Sequence, residues 1–147
     1  MKLNEARKIL KKNGFICESA EFDAYDWLEN NYMEMRRAAE ANPVVGYSTS
    51  IGEIDDFGSK LMAYRIIVPA KAGKKVKWFG IMLKPESENE ITMFVYRDRM
   101  STSDTKILTG QVTEGVYTET FTDIDWKKIF DAAAAVIKEM VGEEDEA

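Results

Sequence analysis

Apolar residues recur at helical spacing in three stretches of the chain. The first stretch, Leu3–Asn13, places its apolar residues on one face and is followed by a glycine. The second, Ser19–Ala41, opens on a good N-cap residue and ends where an asparagine precedes Pro43. The third opens at Asp125 and keeps its spacing as far as Gly142, which is in position to end it. The pattern predicts two N-terminal helices and one C-terminal helix.

Between the second and third helices the apolar period changes to two, which is typical of half-buried strands. Short turns rich in glycine, proline and aspartate separate four such runs, and four consecutive strands with short connections predict an antiparallel meander. A fifth strand within residues 107–121 stays open, because two glycines interrupt that run. Residues 98–105 read as a mobile polar loop. The predicted strands are Val44–Ile51, Leu61–Val68, Val76–Leu83 and Ile91–Arg97.

This order of elements predicts an α+β fold, in which helices are segregated from an antiparallel sheet of four to five strands. Residues 1–142 form the single predicted domain, and residues 143–147 read as an acidic disordered tail. In the second and third strands both alternating sets of positions are apolar, so the sheet is expected to be covered on both faces. Three coverings are open: helices divided between the faces, a second copy or partner on one face, or a ligand cavity.

Histidine and cysteine, which many enzymes use in catalysis, are absent or nearly absent from the sequence. The chain has no histidine and one cysteine, Cys17, which removes Ser-His-Asp and Cys-His catalysis and the usual zinc and iron–sulfur sites. It has no glycine-rich phosphate loop. Asp123 and Asp125 have the spacing of a pair for a hard cation, but their place at a helix start favours capping. We therefore predict a protein that is not an enzyme, with no catalytic residues, metal or cofactor; an enzyme using carboxylates and a hard metal is a remaining alternative.

Two features of the sequence bear on its location. The first residues are polar and basic rather than an apolar signal segment, and no apolar run reaches the length of a membrane helix. Cys17 has no partner for an internal disulfide, which fits a reducing compartment and a small buried side chain. We expect a cytoplasmic protein, in a bacterial or phage-infected host cell, that does not bind membranes.

Charge is distributed unevenly, although the net charge is −6. The stretch from Lys60 to Lys84 is basic without an acid, and lysines concentrate around its central hairpin, where Trp78 and Phe79 read as core residues. The candidate anion-binding residues are Lys71, Lys74, Lys75, Lys77, Arg97 and Arg99.

The start of the second predicted helix is acidic. It is either a recognition face for a basic partner or a solvated face stabilised by the helix dipole. The candidate residues of an acidic recognition face are Glu21, Asp23, Asp26 and Glu29.

The opening segment Leu3–Phe15 resembles the first helix of small uncharacterised accessory proteins of bacteriophages and gut bacteria. The resemblance implies a protein that binds and modulates another macromolecule. The leading hypothesis is a non-enzymatic interaction factor, such as a phage or mobile-element modulator or inhibitor of a host macromolecule, with a protein partner or a homodimer. The alternative is a nucleic-acid or anionic-ligand module that uses the basic hairpin at residues 71–77.

Overall fold

The computed structural model describes residues 22–47, 51–55, 62–99 and 103–146. The helix predicted at Leu3–Asn13 lies outside these residues, as do Ser19 and Glu21. In chain order the elements are helix α1 (Ala24–Ala41), a 3-10 turn (Val45–Tyr47), strands β1 (Ile51–Asp55), β2 (Met62–Ala72), β3 (Lys75–Ser87) and β4 (Glu90–Arg97), helix α2 (Asp104–Leu108), strand β5 (Val116–Phe121) and helix α3 (Trp126–Glu146).

The five strands form one antiparallel sheet whose spatial order, β1-β2-β3-β4-β5, is also their order along the chain. The predicted α+β fold with a meander sheet is confirmed, and its fifth strand falls within the run that the sequence left open. A two-residue loop joins β2 to β3, and Gly73 in this loop has φ 65°, a conformation in which glycine is favoured.

Both long helices cover the same face of the sheet, called here the helical face. Alternate residues of the central strands point into this layer, among them Ile66, Ile81 and Val95, all without solvent exposure. The helices meet at Trp27 and Trp126, whose rings are 5.8 Å apart in an edge-to-face arrangement. Fully burying an aliphatic or phenylalanine side chain contributes about 1.5–3 kcal/mol, so this layer is the main source of stability.

The opposite face, called here the outer face, has a smaller core. Ile107 and Leu108 of α2 pack there against buried side chains of the central strands, which are Ala63, Met82, Phe94 and Tyr96. The prediction that both faces are apolar is correct for the middle of the sheet. The helices that cover the two faces are very unequal in length, with 18 and 21 residues on one side and 5 on the other.

Helix α1 starts later than the sequence predicted. Phe22 and Asp23 are not helical, and the carboxylate of Asp23 accepts a hydrogen bond from the backbone N–H of Asp26 (3.2 Å). Asp23 is therefore the N-cap of α1, four residues later than the position that the sequence predicted. The buried residues Trp27, Leu28, Met35 and Ala39 follow the predicted apolar stripe.

The strand predicted at Val44–Ile51 is wrong in its first half. The side-chain oxygen of Asn42 accepts hydrogen bonds from the N–H groups of Val44 (2.9 Å) and Val45 (3.0 Å). These bonds hold the chain in a turn, because a side chain that satisfies the local backbone competes with strand pairing. Strand β1 begins only at Ile51 and includes Asp55, which the sequence placed in a turn.

Prolines do not end the strands where the sequence predicted. Strand β2 continues through Pro69, and β3 continues through Pro85 to a register shift before Ser87. The carbonyl oxygen of Trp78 accepts from Asp98 N–H (2.8 Å), so Trp78 directs its polar backbone groups towards β4. The facing residue Pro69 then directs its nitrogen away from β3, where the missing N–H interrupts no bond of the β2–β3 ladder.

Helix α3 extends beyond its predicted end. Asp125 caps its start by accepting from Lys128 N–H (3.2 Å). The helix runs through Gly142 to Glu146, whereas the sequence predicted an end at Gly142 and a disordered tail at residues 143–147. One glycine inside a helix costs only about 1 kcal/mol relative to alanine, which is too little to force an end there.

Candidate interaction surface

The hairpin of β2 and β3 extends beyond the rest of the sheet on one side. Strand β1 pairs with β2 only from Met62 to Ile66. In the part of the chain that the structure describes, the outer edge of β2 from Ile67 to Ala72 has no partner strand. With respect to those described residues, the end of the hairpin thus has an open edge.

On the outer face this hairpin end carries four neighbouring side chains, called here the hairpin surface: Pro69, Lys71, Val76 and Trp78. Trp78 faces Pro69 across the two strands, and Val76 faces Lys71. Trp78 is 49% exposed and Val76 is 51% exposed. The prediction that Trp78 is a core residue is therefore wrong, while its neighbour Phe79 is fully buried on the helical face.

The four candidate lysines all lie on this hairpin, but not on one face. The strand alternation places Lys71 on the outer face beside Val76. Lys75 and Lys77 have the opposite parity and belong to the helical side, and Lys74 lies in the loop. The lysines surround the exposed apolar residues instead of forming one basic strip.

Arg97, another candidate, is held by the hairpin. Its guanidinium donates to the carbonyl oxygens of Trp78 and Asp98, both at 2.7 Å, and lies 5.5 Å from the ring centroid of Phe79. These contacts join the end of β4 to β3. Arg99 is exposed just beyond β4.

The three described acidic candidates lie in different settings along α1. Asp23 caps α1, and Asp26 lies in its first turn, where the helix dipole favours a carboxylate. Glu29 lies further along and lines a cleft of about 630 Å³ with Glu53 and Tyr64. At Asp23, the first described residue of this acidic stretch, the carboxylate caps the helix, which supports the alternative of local helix stabilisation.

The outer face also carries a polar cluster that the sequence did not predict. The Arg65 guanidinium donates from Nη1 to Asp104 Oδ2 (2.9 Å) and from Nη2 to Asp98 Oδ1 (3.1 Å). Tyr96 donates its hydroxyl to the other Asp104 oxygen (3.3 Å). These bonds fasten the start of α2 to the sheet, so the predicted mobile loop at 98–105 is held at both described ends. A one-dimensional pattern carries no signal for this, because 33 and 39 residues separate the partners.

Tyr96 lies under this cluster and against the backbone of β3. Its residue partner across the strands is Gly80, and a side chain at that position would overlap the Tyr96 ring. Burial, followed by the nearby Asp104 carboxylate, raises the pKa of Tyr96 above its ordinary range. The phenol is therefore uncharged and donates its hydrogen bond to Asp104. Through these bonds the cluster positions α2 on the sheet.

Beside the hairpin surface is an apolar slot of about 670 Å³. Its walls are the turn at Pro43 and Val44, the end of the β2–β3 hairpin with residues 69–71 and Val76, and the last part of α3 with Ile137 and Val141. The sequence predicted no pocket here, because its walls come from three elements far apart along the chain.

Comparison with known protein families, with curated proteins and with solved structures found no match for this chain. Within the described residues, no group of three or more cysteine, aspartate and glutamate side chains is placed to hold a metal ion. No helix among those same residues has both the length and the apolar character needed to span a membrane. The fold and surface define a small α+β domain with an exposed apolar and basic hairpin.

Proposed function

We propose that this protein is a non-enzymatic interaction factor that binds a partner protein through the hairpin surface. The observation that carries the proposal is the half-exposure of Trp78 and Val76 on one face of a hairpin whose outer edge pairs with no strand among the described residues. A role as a phage or mobile-element modulator or inhibitor of a host macromolecule agrees with this, as does a cytoplasmic location, which fits the lone Cys17.

An exposed tryptophan on a rigid strand is well suited to be an anchor. Tryptophan is enriched among the few residues that dominate binding energies, and it gains most when a partner closes over it. The backbone of Trp78 is fixed on one side, because its carbonyl oxygen accepts from both Asp98 and Arg97. Little ordering of this residue is then required on binding, which favours affinity.

The charge around the anchor indicates the chemistry of the partner. Lysines on both faces and in the loop surround Trp78 and Val76 and give the hairpin a positive rim. An acidic protein surface with an apolar centre would complement it and would be attracted at long range. Two copies of this hairpin would repel each other, so the hairpin surface favours a different protein over a homodimer.

The second candidate function is the binding of nucleic acid or another anionic ligand. The exposure of Trp78 favours it, because a base can stack on an exposed aromatic ring beside lysines. The division of the lysines between two faces speaks against it, since a single-strand groove needs its cations along one track. We therefore favour the protein partner.

The proposal is tested by comparing the binding partners that the purified wild-type protein and its variants capture. Trp78→Ala should remain folded, with a free energy of unfolding within about 0.5 kcal/mol of wild type, because the side chain is half-exposed. Loss of an anchor costs about 2 kcal/mol or more, so the affinity for the captured protein should fall about 30-fold or more. Tyr117→Ala, an exposed aromatic on the opposite edge strand, is the matched control and should bind as wild type does.

Each alternative has its own outcome. Capture of nuclease-sensitive material, lost at moderate salt and lost when Lys71, Lys74, Lys75 and Lys77 become glutamate, would replace the proposal by nucleic-acid binding. Light scattering that gives a dimer dependent on Trp78 would assign the hairpin surface to a second copy. Equal capture of the same protein by Trp78→Ala and wild type would refute the role of this surface.

A further inference from the structure

The apolar slot adjoins the hairpin surface and shares Pro69, Lys71 and Val76 with it, whereas Trp78 does not line the slot. Apart from two lysines, its walls are apolar side chains, among them Pro43, Val44, Ile137 and Val141. Its volume of about 670 Å³ lies within the range of about 300–1,000 Å³ that small-molecule sites occupy. The slot therefore has the size and the lining of a ligand site.

Two lysines stand at the rim of the slot, Lys71 from β2 and Lys138 from α3. Neither ammonium group makes an ion pair with a described residue. An apolar slot between two such cations has the chemical character of a site for a molecule that is apolar at one end and anionic at the other. A second copy of the hairpin would instead bring further lysines to this rim.

We propose that the slot binds a small amphipathic carboxylate, a medium-chain aliphatic acid, with its chain against Ile137 and Val141 and its carboxylate between Lys71 and Lys138. Burial of each methylene favours binding by about a factor of four, so shortening the chain by two carbons weakens binding about tenfold or more. The proposal does not depend on Trp78 as an anchor, because that residue does not line the slot, although Pro69, Lys71 and Val76 belong to both.

The experiment uses the full chain and decanoate below its micellar concentration, measured by calorimetry and by amide shifts of slot residues. Wild type should bind decanoate with one-to-one stoichiometry and bind octanoate about tenfold more weakly. Uncharged decanol and cationic decyltrimethylammonium should bind at least tenfold more weakly than decanoate. Trp78→Ala should bind decanoate as wild type does, which separates this site from the Trp78 anchor of the proposed function.

Variants place the ligand within the slot. Lys138→Glu should weaken decanoate binding at least tenfold, whereas Lys128→Glu, an exposed lysine of the same helix outside the slot, should leave it unchanged. Val141→Trp should fill the slot and abolish binding; Ala70→Leu, from the opposite wall, does the same if the first variant does not fold. The proposal is overturned if wild type does not bind decanoate, if all three head groups bind alike, or if both lysine variants behave alike.

Discussion

At the scale of single residues, Gly80 shows how closely side chains pack against the backbone on the outer face of the sheet. It faces Tyr96 directly across β3 and β4, and Tyr96 is 1% exposed. The tyrosine ring lies over the glycine, in the space that a β-carbon would need. Because Gly80 has no side chain, Tyr96 has room to lie there, and Tyr96 is the largest of the described side chains buried on the outer face.

Gly80→Ala should destabilise the protein by about 3 kcal/mol. A β-carbon at this position would be 2.6 Å from Cε2 of Tyr96 and closer still to Cζ and Oη, and the buried ring has little room to move. The free energy of unfolding in urea measures the effect.

Gly52→Ala is the control on the same face, because nothing lies within 4 Å of its added carbon. It should be neutral or stabilising by up to about 1 kcal/mol, since alanine reduces the freedom of the unfolded chain. A loss below 1 kcal/mol at Gly80 would show that the Tyr96 ring can be displaced.

At the scale of elements, α2 depends on contacts that its own sequence does not provide. Five residues are too few for a stable isolated helix. It is held by burial of Ile107 and Leu108 and by the bonds from Arg65 to Asp98 and Asp104. Arg65 therefore connects the sheet to both described ends of the β4–α2 connection.

Arg65→Gln should cost about 1–3 kcal/mol of stability, because it removes two charge-assisted hydrogen bonds and leaves two partly buried carboxylates without their cation. Hydrogen exchange of the α2 amides should accelerate more than that of the central strands. Arg36→Gln removes an exposed pair with Glu40 on α1 and should cost less than about 0.5 kcal/mol. Equal losses in the two variants would contradict a role for Arg65 in holding α2.

The elements that the sequence predicted well are those whose signals are local. The stripes of α1 and α3 follow from helical spacing, and the meander follows from alternation and short turns. The first half of the strand at Val44–Ile51 failed because one side chain, Asn42, bonds the next backbone groups. The continuation of β2 through Pro69 was not predictable, because the effect of a proline depends on which neighbouring strand its nitrogen faces. Only the strand pairing decides that.

At the candidate site, too, only features with a local sequence signal were predictable. The position of the lysines on a hairpin followed from the sequence. The exposure of Trp78 did not, because both parities of β3 are apolar and only the extent of the covering helices distinguishes Trp78 from Phe79. The slot was equally hidden, since it exists only once the turn after α1 and the end of α3 meet the hairpin.

At the scale of the whole molecule, the folded state holds two tyrosines in a neutral form. Burial raises the pKa of Tyr64, which donates to the carbonyl oxygen of Leu28 (2.7 Å), and of Tyr96. Below pH about 10 both states of the chain keep these protons, so neither phenol makes stability depend on pH. Above it the unfolded chain loses them and the folded chain does not, so stability falls as pH rises.

The expected result is a free energy of unfolding that these phenols leave unchanged up to pH about 10 and that then declines. Each buried phenol adds up to about 1.4 kcal/mol per pH unit to the slope. Tyr96→Phe is less stable at pH 7, because its bond to Asp104 is lost, but its decline above pH 10 should be shallower. Urea denaturation between pH 7 and 11 measures both; identical slopes would contradict the neutral, buried state of Tyr96.

The sequential order of the sheet has a consequence for how the chain folds. Each strand pairs with its neighbour in sequence, so the sheet can assemble through closures of low entropic cost, which are short from β2 to β4 and longer between β4 and β5, where α2 intervenes. The helical layer is different, because Asn42 after α1 and Asp131 in α3 are 89 residues apart when they form their hydrogen bond. We therefore expect the hairpins to form early and the joining of the two long helices to be the late, slow event that completes the native core.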